Sequence, residues 1–177
     1  MTEQCAAGSG ADAGRISLAD PRLQRAVELI WREAAILDAK DYSAWQALYT
    51  DDAQYIVPIE RDAEDFDDVL NMVYDDARMR QLRVARMTEG YALAAVDAAT
   101  TVRTVSRFVA TSVADEQVAL RAAQILVAYK RGRHDLWAGE VDYLVRFGAA
   151  PEQDRLARKV IRLIDADAAV PAAGFLL

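Results

Sequence analysis

Asp38, Tyr42 and Tyr55 are the residues of this 177-residue chain whose types and spacing suit acid–base chemistry. On a helix Asp38 lies one turn after Ala34 and two turns after Trp31, so it shares their apolar face, where desolvation raises a carboxyl towards the range of a working base. Hydroxyls of Tyr42, Tyr55 and Tyr91 then polarise a carbonyl, and the set would carry proton abstraction and return. A carboxylate at a helix end beside the start of a second helix also commonly accepts backbone N–H groups, and this structural role is the one the sequence favours for Asp38.

Metal and nucleophile chemistry is bounded by counting. The chain has one cysteine, Cys5, in a Gly/Ala/Ser-rich head, and one histidine, His134, in a turn-like GRHD. The usual Cys/His zinc sites, Rieske iron–sulfur clusters and two-His-one-carboxylate iron sites all need more of these residues than one of each. An all-carboxylate Mg or Ca site survives the count, but no EF-hand-like spacing is present. Cys5 and His134 therefore read as bystanders.

Charge is concentrated. Between Glu60 and Asp76 stand eight acids against Arg61 alone, which accounts for the whole net charge of −7. Such a segment repels nucleic acid and anionic membrane, and reads as a solvated loop more readily than as an acidic docking surface. Arginines follow it at once. Asp75, Asp76, Arg78, Arg83 and Arg86 are the candidates for structural or interface ion pairs, with Asp76 and Arg80 one helical turn apart. Arg86 shares the expected inner face of its helix with Met79, Leu82 and Ala85, so it needs a carboxylate or several carbonyls.

The elements that position these residues follow from periodicity. Asp20 caps and Pro21 opens a helix running to about Lys40, with Leu23, Ala26, Val27, Ile30, Trp31, Ala34 and Leu37 on one apolar face and Trp31 expected in the core. Asp41 caps a second helix whose inner residues are Trp45, Leu48 and Tyr49. A half-buried strand alternates from Ala53 to Pro58, residues 59–68 form a loop, and Asp75-Asp76 begins a third helix ending near Arg86. Four long strands come next, Val102–Val113, Val118–Lys130, Leu136–Phe147 and Leu156–Ile164, and their short linkers predict an antiparallel meander curling over the helices. The fold class is α+β, with residues 1–18 a flexible tail and 19–177 one domain. No stretch is long and apolar enough to cross a membrane and no secretory signal opens the chain, so a cytoplasmic location is expected.

Four stretches narrow this further: WREAAILDAKDYSAWQALYTDDAQYIVP, YDDARMRQLRVARM, GEVDYLVR and RKVIRLIDADAAVPAAGFLL. In order and spacing they resemble the beta (small) subunit of aromatic-ring-hydroxylating dioxygenases, over about residues 23 to 177. That family usually carries a Trp and a Pro-rich turn before an Arg and an Asn. This chain keeps Gly90, Arg103 and Ser106, lacks the Pro, and has Arg107 where the Asn is expected. The resemblance implies an NTF2-like (SnoaL-like) cone, with the N-terminal helices in the concavity of a curved, mainly antiparallel sheet. It implies a non-catalytic role in an α3β3 complex, the chain associating as a trimer and binding no cofactor. The alpha subunit would carry the Rieske [2Fe–2S] cluster and mononuclear Fe(II) and oxidise an aromatic compound with O2. NAD(P)H would supply electrons through a separate chain. Cones of this kind also house isomerases and dehydratases, which is the setting in which Asp38 would serve as base, and small-ligand-binding modules.

Overall fold

The computed structural model describes residues 17, 19–88, 99–166 and 174–177. Cys5, Tyr91 and nearly all of the 1–18 tail lie outside these residues. Helix α1 spans Pro21–Asp38, with the Asp20 side chain accepting from the Arg22 N–H at 2.9 Å and Pro21 in the first turn, where no hydrogen bond is lost. Lys40, at φ 59°, turns the chain out of the helix. Asp41 accepts from the Ala44 N–H to cap α2, Tyr42–Gln46. Strand β1, Tyr49–Pro58, begins where α2 was expected to continue: Leu48 and Tyr49 are buried, but beyond the helix. The 59–70 loop leads to β2, Asn71–Asp75, a short strand that the residue pattern did not single out. Helix α3, Ala77–Thr88, is followed by β3, Thr100–Val113, β4, Gln117–Lys130, β5, Arg133–Arg146, and β6, Arg155–Leu163.

The sheet order is β2-β1-β6-β5-β4-β3. The four long strands form the expected antiparallel meander, and β1 joins it parallel to β6. Alternation sends Leu120, Leu126, Trp137, Val141, Tyr143, Val145 and Ile161 inward, onto α1, α2 and the aromatic cluster of Trp45, Tyr49 and Tyr55. Near its middle β3 has a bulge at which Arg107 takes φ 56°. Asn tolerates that left-handed backbone better than Arg does, which gives the Asn expected at this position its physical reason.

Three expectations are corrected. Trp31 is 55% exposed rather than in the core; its ring leans on Phe108, and its indole N–H donates to the Val105 oxygen at 3.2 Å. The apolar stripe is rotated about one residue, so Leu29 and Glu33 go inside. The inner face of α3 is likewise not Met79, Leu82, Ala85 and Arg86. Arg80 and Val84 are buried, whereas Met79, Leu82 and Arg86 are exposed, and among the described residues Arg86 bonds its own helix, at the Leu82 oxygen. Arg80 turns inward to the backbone oxygens of Ala53 and Thr50 and over the Tyr49 ring, so it does not form the expected pair with Asp76. Those oxygens lie where β1–β6 pairing lapses between Tyr49 and Gln54, and Arg80 supplies the missing donors. Finally, β1 is covered on both sides, since Ile56 is as buried as Tyr55 and Val57.

Candidate functional site in the cone

The concave side of the sheet encloses charge that the sequence reading passed over. Glu33, from the fourth turn of α1, and Lys159, from the inward face of β6, are each 1% exposed and pair at 3.0 Å. The Glu33 Oε1 also accepts from the Trp45 indole at 3.0 Å and the Tyr49 hydroxyl at 2.8 Å. Lys159 Nζ spends its remaining donor on the Leu177 backbone oxygen at 3.1 Å, and sits over the rings of Tyr55 and Tyr143. Such a pair is held by its complete set of hydrogen bonds, since the cost of desolvating both charges offsets much of their attraction. A signal for both was present. Glu33 falls three residues after Ile30 and four before Leu37, on the buried stripe, and Lys159 alternates with Ala157 and Ile161.

Asp38 lies at the other end of this cluster. Its Oδ1 accepts from Arg103 Nη1 at 2.5 Å and the Thr101 hydroxyl at 2.8 Å, while Oδ2 accepts from the Arg103 backbone N–H at 2.9 Å. Arg103 continues to the Leu176 backbone oxygen. Burial pulls the Arg103 guanidinium below its usual value, and Asp38 opposes that shift. The two tyrosines singled out with Asp38 do not bond to it. The Tyr55 hydroxyl donates to the Leu177 oxygen and accepts from the Leu177 N–H. The Tyr42 hydroxyl is buried with no partner among the described residues, and desolvation raises it. Phe175, Leu176 and Leu177 thus seal the described interior, Phe175 against Trp137.

The charged candidates near α3 separate. Asp75 and Arg83 form a buried-to-surface pair at 2.5 Å. Asp76 caps α3 through the Met79 N–H at 2.8 Å, and Arg78 is exposed. Among the described residues no three His, Cys, Asp or Glu side chains cluster as a metal site would require.

The family model described as "Ring hydroxylating beta subunit" matches residues 32–167. This chain belongs to that family. It is 30% identical over 122 residues, 67% of each chain, to the small oxygenase component of the p-cumate 2,3-dioxygenase system of Pseudomonas putida. Its fold matches the beta subunit of a putative aromatic-ring-hydroxylating dioxygenase from Novosphingobium aromaticivorans, with TM-score 0.73 at 19% identity over 90% of this chain and all of that one. It also matches the beta subunit of benzoate 1,2-dioxygenase from Burkholderia mallei, with TM-score 0.69 at 20% identity over 91% and 100% of the two chains. The family resemblance in the sequence and the NTF2-like cone it implied are both correct.

Proposed function

We propose that this beta subunit is the non-catalytic small component of an oxygenase, supporting an α3β3 assembly as a trimer of its own kind. Its alpha partner carries a Rieske [2Fe–2S] cluster and mononuclear Fe(II) and oxidises an aromatic compound with O2, using electrons from NAD(P)H passed by a separate chain in the cytoplasm. The observation that carries this reading, beside the family, is that both carboxylates facing the cone are committed to neighbouring donors. Glu33 accepts from three residues and Asp38 from two, so neither carboxylate stands ready to take a substrate proton. One histidine and one cysteine cannot ligate either iron centre. Asp38 and Arg103 then act as a tie between α1 and β3, and Tyr42 and Tyr55 as core. Of the residues first marked for ion pairs, Asp75 and Arg83 serve within the subunit, and Arg78 and Arg86 are left for contacts with other subunits.

The purified chain is expected to hold no stoichiometric iron, show no Rieske absorbance and turn over no aromatic compound. Co-expressed with its alpha subunit, it should yield a stable complex with oxygen-dependent ring hydroxylation. Asp38→Asn should lower thermal stability while leaving turnover per assembled complex within about threefold, whereas loss of a general base costs about 10²-fold or more. Catalysis by the isolated chain that disappears in a folded Asp38→Asn variant would overturn the proposal.

A further inference from the structure

The outward side chains of the meander, Val102, Ile125 and Leu136 among them, are bare to solvent, so a polar atom on that side meets bulk water. The inward side offers no such relief. A polar group closed off there is paired by the chain or by something held inside with it, because a buried donor left unmade is costly.

Two polar atoms of the inward network have no partner among the described residues, Arg103 Nε and the Tyr42 hydroxyl. Both belong to deeply buried side chains: Tyr42 is 5% exposed and the Arg103 side chain 1%. Asp38 connects them. Its carboxylate holds Arg103 through Nη1 and through the backbone N–H, and Tyr42 follows it by four residues, past the Lys40 turn, as the first residue of α2. Arg103 spends Nη1 on Asp38 and Nη2 on the Leu176 oxygen, which leaves the Nε–H. The charge of the same guanidinium partly offsets the rise that desolvation causes in the Tyr42 hydroxyl, so the two groups lie within electrostatic reach of each other.

An Nε–H can only donate, so whatever meets it must accept, whereas the phenol can do either. Charge narrows the guest further. Arg103 and Lys159 are balanced by Asp38 and Glu33, and an anion would leave this enclosed set net negative at low dielectric. A neutral molecule of the size of water accepts from Nε and exchanges a hydrogen bond with Tyr42. The Leu176 oxygen, bonded to the adjacent Nη2, is a further acceptor beside it, which gives the two to four partners that hold an internal water. We infer that the cone holds one ordered water between Arg103 Nε and the Tyr42 hydroxyl, tying α2 to β3, the last strand of the sheet. Tyr143 is the contrast. Its hydroxyl also lacks a partner among the described residues, but the cation over its ring is Lys159, whose three donors are spent on Glu33 and Leu177. The water serves the fold of the single chain, so it does not depend on the chain's partners.

The test is a crystal structure of the full chain at a resolution that shows ordered water, from crystals grown once in chloride and once in bromide. One peak is expected within about 3.2 Å of both Arg103 Nε and the Tyr42 oxygen, with no anomalous signal from bromide. Tyr42→Phe should keep the circular dichroism of the unmodified chain, lose the peak, and lower the folding equilibrium constant about fivefold in urea titration, since the hydrogen bonds through the water go with it. Tyr143→Phe should keep the peak. The inference is overturned by an unmodified chain with no peak between the two atoms, or by a peak that stays in place in Tyr42→Phe. A bromide signal at that position overturns it as well, because the guest would then be an anion.

Discussion

Tyr143 illustrates how burial alone sets the chemistry of a side chain in this cone. Its hydroxyl has no hydrogen-bond partner among the described residues, and desolvation, reinforced by the nearby Glu33 carboxylate, holds it well above the ordinary phenol value. Tyr49 and Tyr55 are raised by the same two causes. Lys159 shifts the opposite way, since burial favours its neutral form and Glu33 only partly opposes this. The signs are worked out from proton counts. A phenol raised on folding contributes stability that is complete below its unfolded value, about 10, and is lost as pH climbs towards the folded value. A lysine lowered on folding does the reverse, gaining stability as pH rises to its ordinary value. Three phenols outweigh one ammonium, so the urea midpoint should fall steeply above about pH 10. Tyr143→Phe should be within about 1 kcal/mol of the unmodified protein at pH 7, because it removes an unpaired buried hydroxyl, and should make the alkaline fall shallower. An unchanged alkaline slope would show that this phenol does not titrate on unfolding.

Among the elements, α1 and α2 each present a tryptophan, and the two should respond differently to truncation. Trp45 is fully buried, packs edge-on against Tyr49 and Tyr55, and donates to Glu33. Trp45→Ala should cost about 3–5 kcal/mol by the usual range for deleting a core aromatic. Among the described residues Trp31 has an edge contact with Phe108 and one hydrogen bond to β3, so Trp31→Ala should cost about 1–2 kcal/mol. Chemical denaturation of the two variants side by side checks the order. Equal losses would mean that the outer side of α1 is packed as tightly as its inner side. The same element shows where the sequence was legible. The start of α1 at Asp20-Pro21 and its end near Lys40 were plain from the residues that cap, open and close a helix. Its rotation was not, because Trp31 and Leu29 are both apolar and only contact with the sheet decides which turns inward. For α3 the rotation was hidden more deeply. Its inner face carries Arg80, chosen because β1 exposes two backbone oxygens at a lapse in pairing, and nothing local in the sequence reports that lapse.

In the molecule as a whole, the closing segment and the sheet are one structure. Leu176 and Leu177 supply backbone groups to Arg103, Lys159 and Tyr55, residues from β3, β6 and β1. Ending the chain at Gly174 would leave those three side chains each short of a partner and uncover the interior. A loss of about 2–5 kcal/mol is expected, since each buried group deprived of its partner costs about 1–3 kcal/mol and water entering the opening offsets part of it. A thermal melt within a degree or two of the full chain would show that the closing segment contributes little. By itself the sequence determined the order of the helices and of every strand but β2, the meander and the acidic loop, because periodicity, caps and short linkers are local. It also ruled out a Rieske cluster and a two-His-one-carboxylate iron among its own residues, because that requires only counting. Tertiary structure alone decided that Glu33 meets Lys159 from 126 residues away, that Asp38 meets Arg103 rather than a tyrosine hydroxyl, and that half of the outer sheet is left bare. Those outcomes depend on which strands become neighbours and how far the sheet curls, and both are set by the packing of the whole chain.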